Sequence, residues 1–189
     1  RGTGKSYNGI ALAKYFLDQG YITRTFLISP TLKSNLIFKN LKTLDELDCC
    51  ESTENFELVL DQILERVQED WYEVEEEEKY AKIYKKAKRG QMLSLKEEEI
   101  LKENELRPPQ KIKKPAHLLI IDDMQGTDLY RNGARNDLLK SIGIRHRHIP
   151  ISIFFLLQSW HAMPRSLRLN TTHFAVFKTG DKKQIAQIW

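Results

Sequence analysis

Four consecutive aliphatic residues, Leu118-Leu119-Ile120-Ile121, run between His117 and the pair Asp122-Asp123. A strand with one wet face alternates apolar and polar residues, so an unbroken apolar run suits a strand buried on both faces, as in a parallel sheet. Three further stretches read as strands: Thr23–Ser29, stopped by Pro30; the strongly apolar Ile151–Leu157; and His173–Lys178. Helical patterns separate them, at Tyr7–Leu17 with Ile10, Ala13, Phe16 and Leu17 on one face, at Ala134–Ile144, and after Asp181. Pro164–Leu169 adds one or two helical turns, and Gly20 closes the first helix. Strands alternating with helices specify an α/β fold built on a mainly parallel sheet.

The chain opens Arg1-Gly2-Thr3-Gly4-Lys5-Ser6, the second half of the phosphate-loop pattern G-x-x-x-x-G-K-[ST]. In such a loop successive backbone N–H groups, here those of Gly2, Thr3 and Gly4, wrap a di- or triphosphate. Lys5 would reach the β- and γ-phosphates, the Ser6 hydroxyl would hold Mg²⁺, and the following helix would aim its N-terminal dipole at the anion. The first Gly of the pattern and the strand that feeds such a loop would precede residue 1. Asp122 and Asp123 close the buried strand, where phosphates and Mg²⁺ gather in such folds. Asp122 would then hold the metal's water shell, and Asp123 would act as the general base that aligns an attacking water. Gln158 ends the neighbouring strand, where an amide either senses the γ-phosphate or simply caps the strand. The bland alternatives are a Gly-rich turn ahead of a helix and a pair of turn-forming aspartates; two half-motifs in one chain argue against both.

With 189 residues the chain is long enough for a substantial core, and it contains no apolar run of the ~18 residues that a membrane-spanning helix needs. Cys49 and Cys50 are adjacent, which suits free thiols better than a disulfide or a zinc site, and the five histidines show no ligand spacing. The net charge of +4 conceals an asymmetry. Residues 45–79 carry fifteen acidic against two basic side chains, a balance of −13, which leaves +17 for the rest. From Arg131 to Lys183 ten basic residues face only Asp137 and Asp181, a distribution compatible with a polyanionic partner. The acidic segment has helical periodicity: Phe56, Leu60, Ile63, Val67, Trp71 and Val74 form a narrow apolar stripe, extended by Tyr80, Tyr84 and Ala87 to Gly90. Ser52 or Thr53 would cap this helix of ~37 residues, ~55 Å long. Ser94 and Glu97 make a capping box for a second helix, Leu95–Leu106, ended by Pro108-Pro109. Residues ~40–114 thus read as a charged helical insertion.

The order of these parts resembles the genome-packaging ATPases of large DNA viruses and virophages, the poxvirus type within the FtsK–HerA superfamily. The resemblance rests on the half phosphate loop, Ile28-Ser29-Pro30-Thr31, the charged insertion and Leu-Leu-Ile-Ile-Asp-Asp-Met, followed by Arg147-His148 with Ile151-Ser152, the strand ending at Gln158, and Leu167-Arg168-Leu169-Asn170. It implies a P-loop NTPase three-layer sandwich over residues 1–189, truncated at both ends. It further implies an ATP- and Mg²⁺-dependent motor that assembles as a homo-oligomeric ring and drives double-stranded DNA into a capsid. Such a motor engages a capsid or portal protein, involves no membrane, and works in the host-cell cytoplasm, the viral factory or on the virion.

By position, the resemblance makes Gly2, Thr3, Gly4, Lys5 and Ser6 the nucleotide loop, Ser6 and Asp122 the metal ligands, Asp123 the second, catalytic carboxylate and Gln158 the polar sensor. Asp123 is one methylene shorter than the Glu common in wider members. A neighbouring subunit's arginine usually completes the site; Arg147, Arg145 and Arg168 are the candidates. The resemblance also puts the strand that precedes the phosphate loop between those at 151–157 and 173–178, so residues 1–189 expressed alone are expected to be unstable. In the alternative reading, the chain is a nucleotide-dependent assembly or switch protein that binds ATP and a protein partner without moving DNA.

Overall fold

A computed structural model describes residues 4–41, 48–51, 56–124, 127, 139, 142 and 150–177. Its centre is β3, His117–Asp122, with every residue buried. β3 pairs in parallel with β1, Arg24–Ile28, in the register Leu27↔Ile120. On its other side it pairs in parallel with β4, Ile151–Leu156, from His117↔Ile151 to Asp122↔Leu156. A two-residue strand, β2 (Cys49–Cys50), adds to the outer side of β1, giving the order β2-β1-β3-β4. The unbroken aliphatic run therefore lies where both faces and both edges are covered.

Successive side chains of a strand point to opposite faces. Leu27, Leu118 and Ile120 join Ile10 and Ala13 in one buried cluster, with Phe16, Leu17, Phe154 and Leu156 packed against it. Ile10, Ala13, Phe16 and Leu17 belong to α1, Lys5–Asp18, whose apolar face covers this side of the sheet. Gly9 permits the close approach: a Cβ there would lie 2.6 Å from Leu156 Cδ2. α1 ends in a Schellman motif, with Gly20 N–H donating to Leu17 O, Tyr21 N–H to Phe16 O, and Gly20 at φ +67°. Phe26, Ile28, Leu119 and Ile121 fill the opposite face and are fully buried.

The chain divides into two compact units, residues 1–65 with 116–189, and residues 66–115. In the first, Arg24 donates from Nε and a terminal nitrogen to both carboxylate oxygens of the buried Asp48, at 2.8 and 2.9 Å, which holds the β2 segment to β1. The second comprises most of α2, Phe56–Lys88, together with α3, Leu95–Glu103. Its core is Tyr80, Ile83 and Leu101. The Ser94–Glu97 capping box forms as the sequence specifies. Glu77 accepts two bonds from the Arg107 guanidinium and one from the Gln110 N–H, and the hydrogen bonds from Arg107 hold its carboxyl below the usual range.

Two sequence expectations meet different outcomes. Arg165–Leu169 forms the short helix α4. His173–Phe177, expected to open a strand at 173–178, joins no ladder, and Phe174 and Val176 stand exposed. An alternating pattern becomes a strand only when another edge satisfies its N–H and C=O groups; β4 is bonded to β3 on one side, and no described strand pairs with the other. The expected caps at Ser52 or Thr53, the helix from Asp181 and all but Leu139 and Ile142 of the helix at 134–144 lie outside the described residues; these two are helical and buried. No described helix is long and apolar enough to cross a membrane.

Ile120 sits at 0% exposure in the centre of the sheet, whereas Met92 is 98% exposed. Ile120→Ala should destabilise the whole protein by ~2–5 kcal/mol, and Met92→Ala by no more than ~0.5 kcal/mol, measured as shifts in urea denaturation. Similar losses for the two would contradict the placement of the core.

Candidate functional site

Asp122 ends β3 on the same face as Leu118 and Ile120, the face that α1 covers. Its carboxylate therefore meets the start of α1: Ser6 Oγ donates to Asp122 Oδ1 at 2.8 Å. The same alternation carries β1 from Leu27 to Ser29, whose hydroxyl donates to Asp122 Oδ2 at 3.4 Å. Ser29 Oγ also accepts the Thr31 N–H at 3.2 Å and lies 3.1 Å from Thr31 Oγ1, so the turn after β1 keeps it in place. Sequence reasoning assigned no role to Ser29. The usable signal was parity, since Ser29 stands one strand period beyond the inward-facing Leu27.

Asp123 leaves the strand. Its φ of +52° is in the left-handed region, which Asp tolerates better than most residues. Its N–H donates to Leu156 O at 3.2 Å, and its Oδ1 accepts a bond from Gln158 Nε2. The two residues that the sequence put at the ends of adjacent strands are thus in direct contact. Gly4, at φ +75°, precedes α1, and its carbonyl accepts both the backbone N–H and the side-chain amide of Asn8 at 2.8 Å.

Charge at this edge is poised by burial. Desolvation, reinforced by the negative charge of Asp123, raises the pKa of Asp122 above the usual carboxylate value, against the hydrogen bonds from Ser6 and Ser29 and the Lys5 charge. Burial lowers the pKa of Lys5, and the charges of Asp123 and Asp122 oppose that shift. The site therefore brings together an ammonium, a hydroxyl and two carboxylates with an amide on one of them. A part-buried hydroxyl–carboxylate pair offers hard oxygen donors of the kind Mg²⁺ takes when phosphates and water complete its shell. Among the described residues no three His, Cys, Asp or Glu side chains cluster as a metal site.

Gly2, Thr3, Arg145 and Arg147 lie outside the described residues. Arg168, the third arginine candidate, stacks its guanidinium 5.9 Å from the Trp160 ring centroid.

A family model described as the poxvirus A32 protein matches residues 74–188, more than half of the chain. The matched span includes β3, Asp122, Asp123 and Gln158. No curated protein and no solved structure gives a significant match.

Asp122→Asn tests the cost of the buried charge. A carboxyl with a raised folded-state pKa makes the native state bind more protons than the unfolded chain, so its contribution to stability falls as pH rises from the unfolded value toward the folded one. Without nucleotide, Asp122→Asn should raise Tm at pH 7, and the gain should vanish once pH falls below the unfolded carboxyl pKa of ~4. A loss of Tm at neutral pH would contradict the assigned burial penalty.

Proposed function

The chain belongs to the poxvirus A32 protein family, a family of viral genome-packaging ATPases, and on that premise we propose that it is an ATP-hydrolysing motor of the P-loop and FtsK–HerA type that moves double-stranded DNA into a capsid. The observation that carries the reading is the hydrogen bond from Ser6 to Asp122. It joins the start of α1 to the sheet edge where Asp122 ends β3 and Asp123 follows.

In this reading the backbone of Gly2, Thr3 and Gly4 cradles the phosphates of ATP, and Lys5 neutralises charge on the β- and γ-phosphates. Ser6 and Asp122 would hold Mg²⁺, which would neutralise charge developing on the phosphate oxygens. Asp123 accepts the proton of the attacking water. Its short side chain is held by the Gln158 amide, which would keep the carboxylate oriented, and Gln158 would be the polar sensor of the γ-phosphate. Arg147 from a neighbouring subunit of a homo-oligomeric ring stabilises transition-state charge, with Arg145 and Arg168 as the other candidates for that role. The basic surplus between Arg131 and Lys183 would supply the charge that neutralises the phosphates of DNA. Residues 1–189 form the ATPase domain, and the helical segment at about 40–114 is an insertion in it. A capsid or portal protein receives the product of this work, in the host cytoplasm, the viral factory or on the virion.

Duplex DNA should stimulate ATP turnover of the whole protein, and Lys5→Ala and Asp123→Asn should each lower the stimulated rate by about a hundredfold or more. Asp123→Asn should retain nucleotide binding, which separates loss of chemistry from loss of the ligand. ATP binding with turnover indifferent to DNA would instead favour an assembly or switch protein that engages a protein partner without translocating DNA.

A further inference from the structure

The charge on α2 is divided along its length. From Asp61 to Glu78 nine acidic residues stand against Arg66 alone, and from Lys79 to Lys88 five basic residues stand with no acid. In the acidic half Glu69 and Glu73 are exposed and form no ion pair among the described residues. Tyr72, 65% exposed, lies between them on the same side of the helix. In the basic half, Lys79, Lys82 and Lys86 recur at spacings of three and four and line an open groove of about 380 Å³. Lys96 of α3 lines it too, and Ile83 and Ile100 supply its apolar surface. Lys86 is bonded to Glu97 at 2.7 Å and Lys79 to Glu76 at 3.4 Å. Lys82 and Lys96 have no acidic partner among the described residues.

Beyond the Glu76–Lys79 contact at their junction, the two halves do not neutralise each other within one helix. Glu69 and Glu73 are nine to thirteen residues from Lys82, about 14–20 Å along the axis, beyond the ~8 Å screening length at physiological ionic strength. A second helix of the same kind laid antiparallel satisfies both halves at once, because each copy brings the complement of what it lacks. A nucleic-acid backbone suits the groove less well, since the neighbouring acidic half repels a polyanion.

We propose that the lysine groove receives the acidic half of α2 from a second copy of this chain. Glu69 and Glu73 of one copy pair with Lys82 and Lys96 of the other, and Tyr72 seats its ring against Ile83 and Ile100. The contact is independent of nucleotide, so it stands or falls apart from the ATPase reading.

The test is self-association of the whole protein by sedimentation, at about 0.05 M and about 0.5 M salt, with two charge-reversed variants. One is Glu69→Lys with Glu73→Lys, the other Lys82→Glu with Lys96→Glu; all four positions are exposed on helices, and circular dichroism checks that the helices persist. The wild-type protein should associate more weakly at high salt. Each variant alone should raise the dissociation constant at least about tenfold, and an equimolar mixture of the two should recover association through the exchanged charges. Self-association that neither reversal changes would overturn the proposal. So would a lysine reversal that weakens duplex DNA binding and leaves self-association intact.

Discussion

A serine hydroxyl and an aspartate carboxylate separated by 116 positions meet at 2.8 Å, and much of the core serves that meeting. α1 must begin at the carboxyl edge of the sheet and lie close against it, which the bare Cα of Gly9 beside Leu156 allows. β3 must be central and buried so that its last residue reaches that edge on the α1 face. The parallel pairing of β3 with both β1 and β4 brings three strand ends to one side. Ser29, Asp122 and Gln158 are the polar residues at those ends.

The same arrangement works against stability. A carboxylate that is 3% exposed is costly to ionise, and its pKa rises as a result. The hydroxyls of Ser6 and Ser29 offset part of that cost without removing the charge. Asp123 adds a left-handed backbone conformation just beyond the strand. A left-handed backbone and a buried charge placed next to each other are features that the proposed role of this edge would explain. The second compact unit shows the other use of charge: Arg107 and Glu77 saturate each other, and Tyr80 donates to the Arg107 carbonyl.

Much of this was legible in the sequence because it depends on local pattern. Four aliphatic residues in a row specified β3, and the recurrence of apolar residues specified α1 and α2. Ser94 with Glu97 specified the start of α3. What escaped depends on partners distant in sequence. Cys49–Cys50 is too short to show a period, and it is a strand only because β1 offers an edge and Arg24 holds Asp48 beside it. The segment from His173 carries a strand-like alternation, but no described strand pairs with it. Ser29 reads as the last residue of a strand stopped by Pro30; parity sets its face, but its contact with Asp122 follows from a register between strands that no local pattern encodes. Asp122 and Asp123 carry separate expected roles, but that the chain turns between them and gives each a different partner, Ser6 for one and Gln158 for the other, is in no local pattern.

The most direct measurement of the central claim is a double-mutant cycle on the affinity for Mg²⁺-ATP, using Ser6→Ala, Asp122→Asn and the two together. If the hydroxyl and the carboxylate act on one ion, the double variant should bind about as weakly as the weaker single variant, because either change already disrupts the shared site. Losses that simply add would mean that Ser6 and Asp122 serve the nucleotide independently, and would contradict a common metal edge.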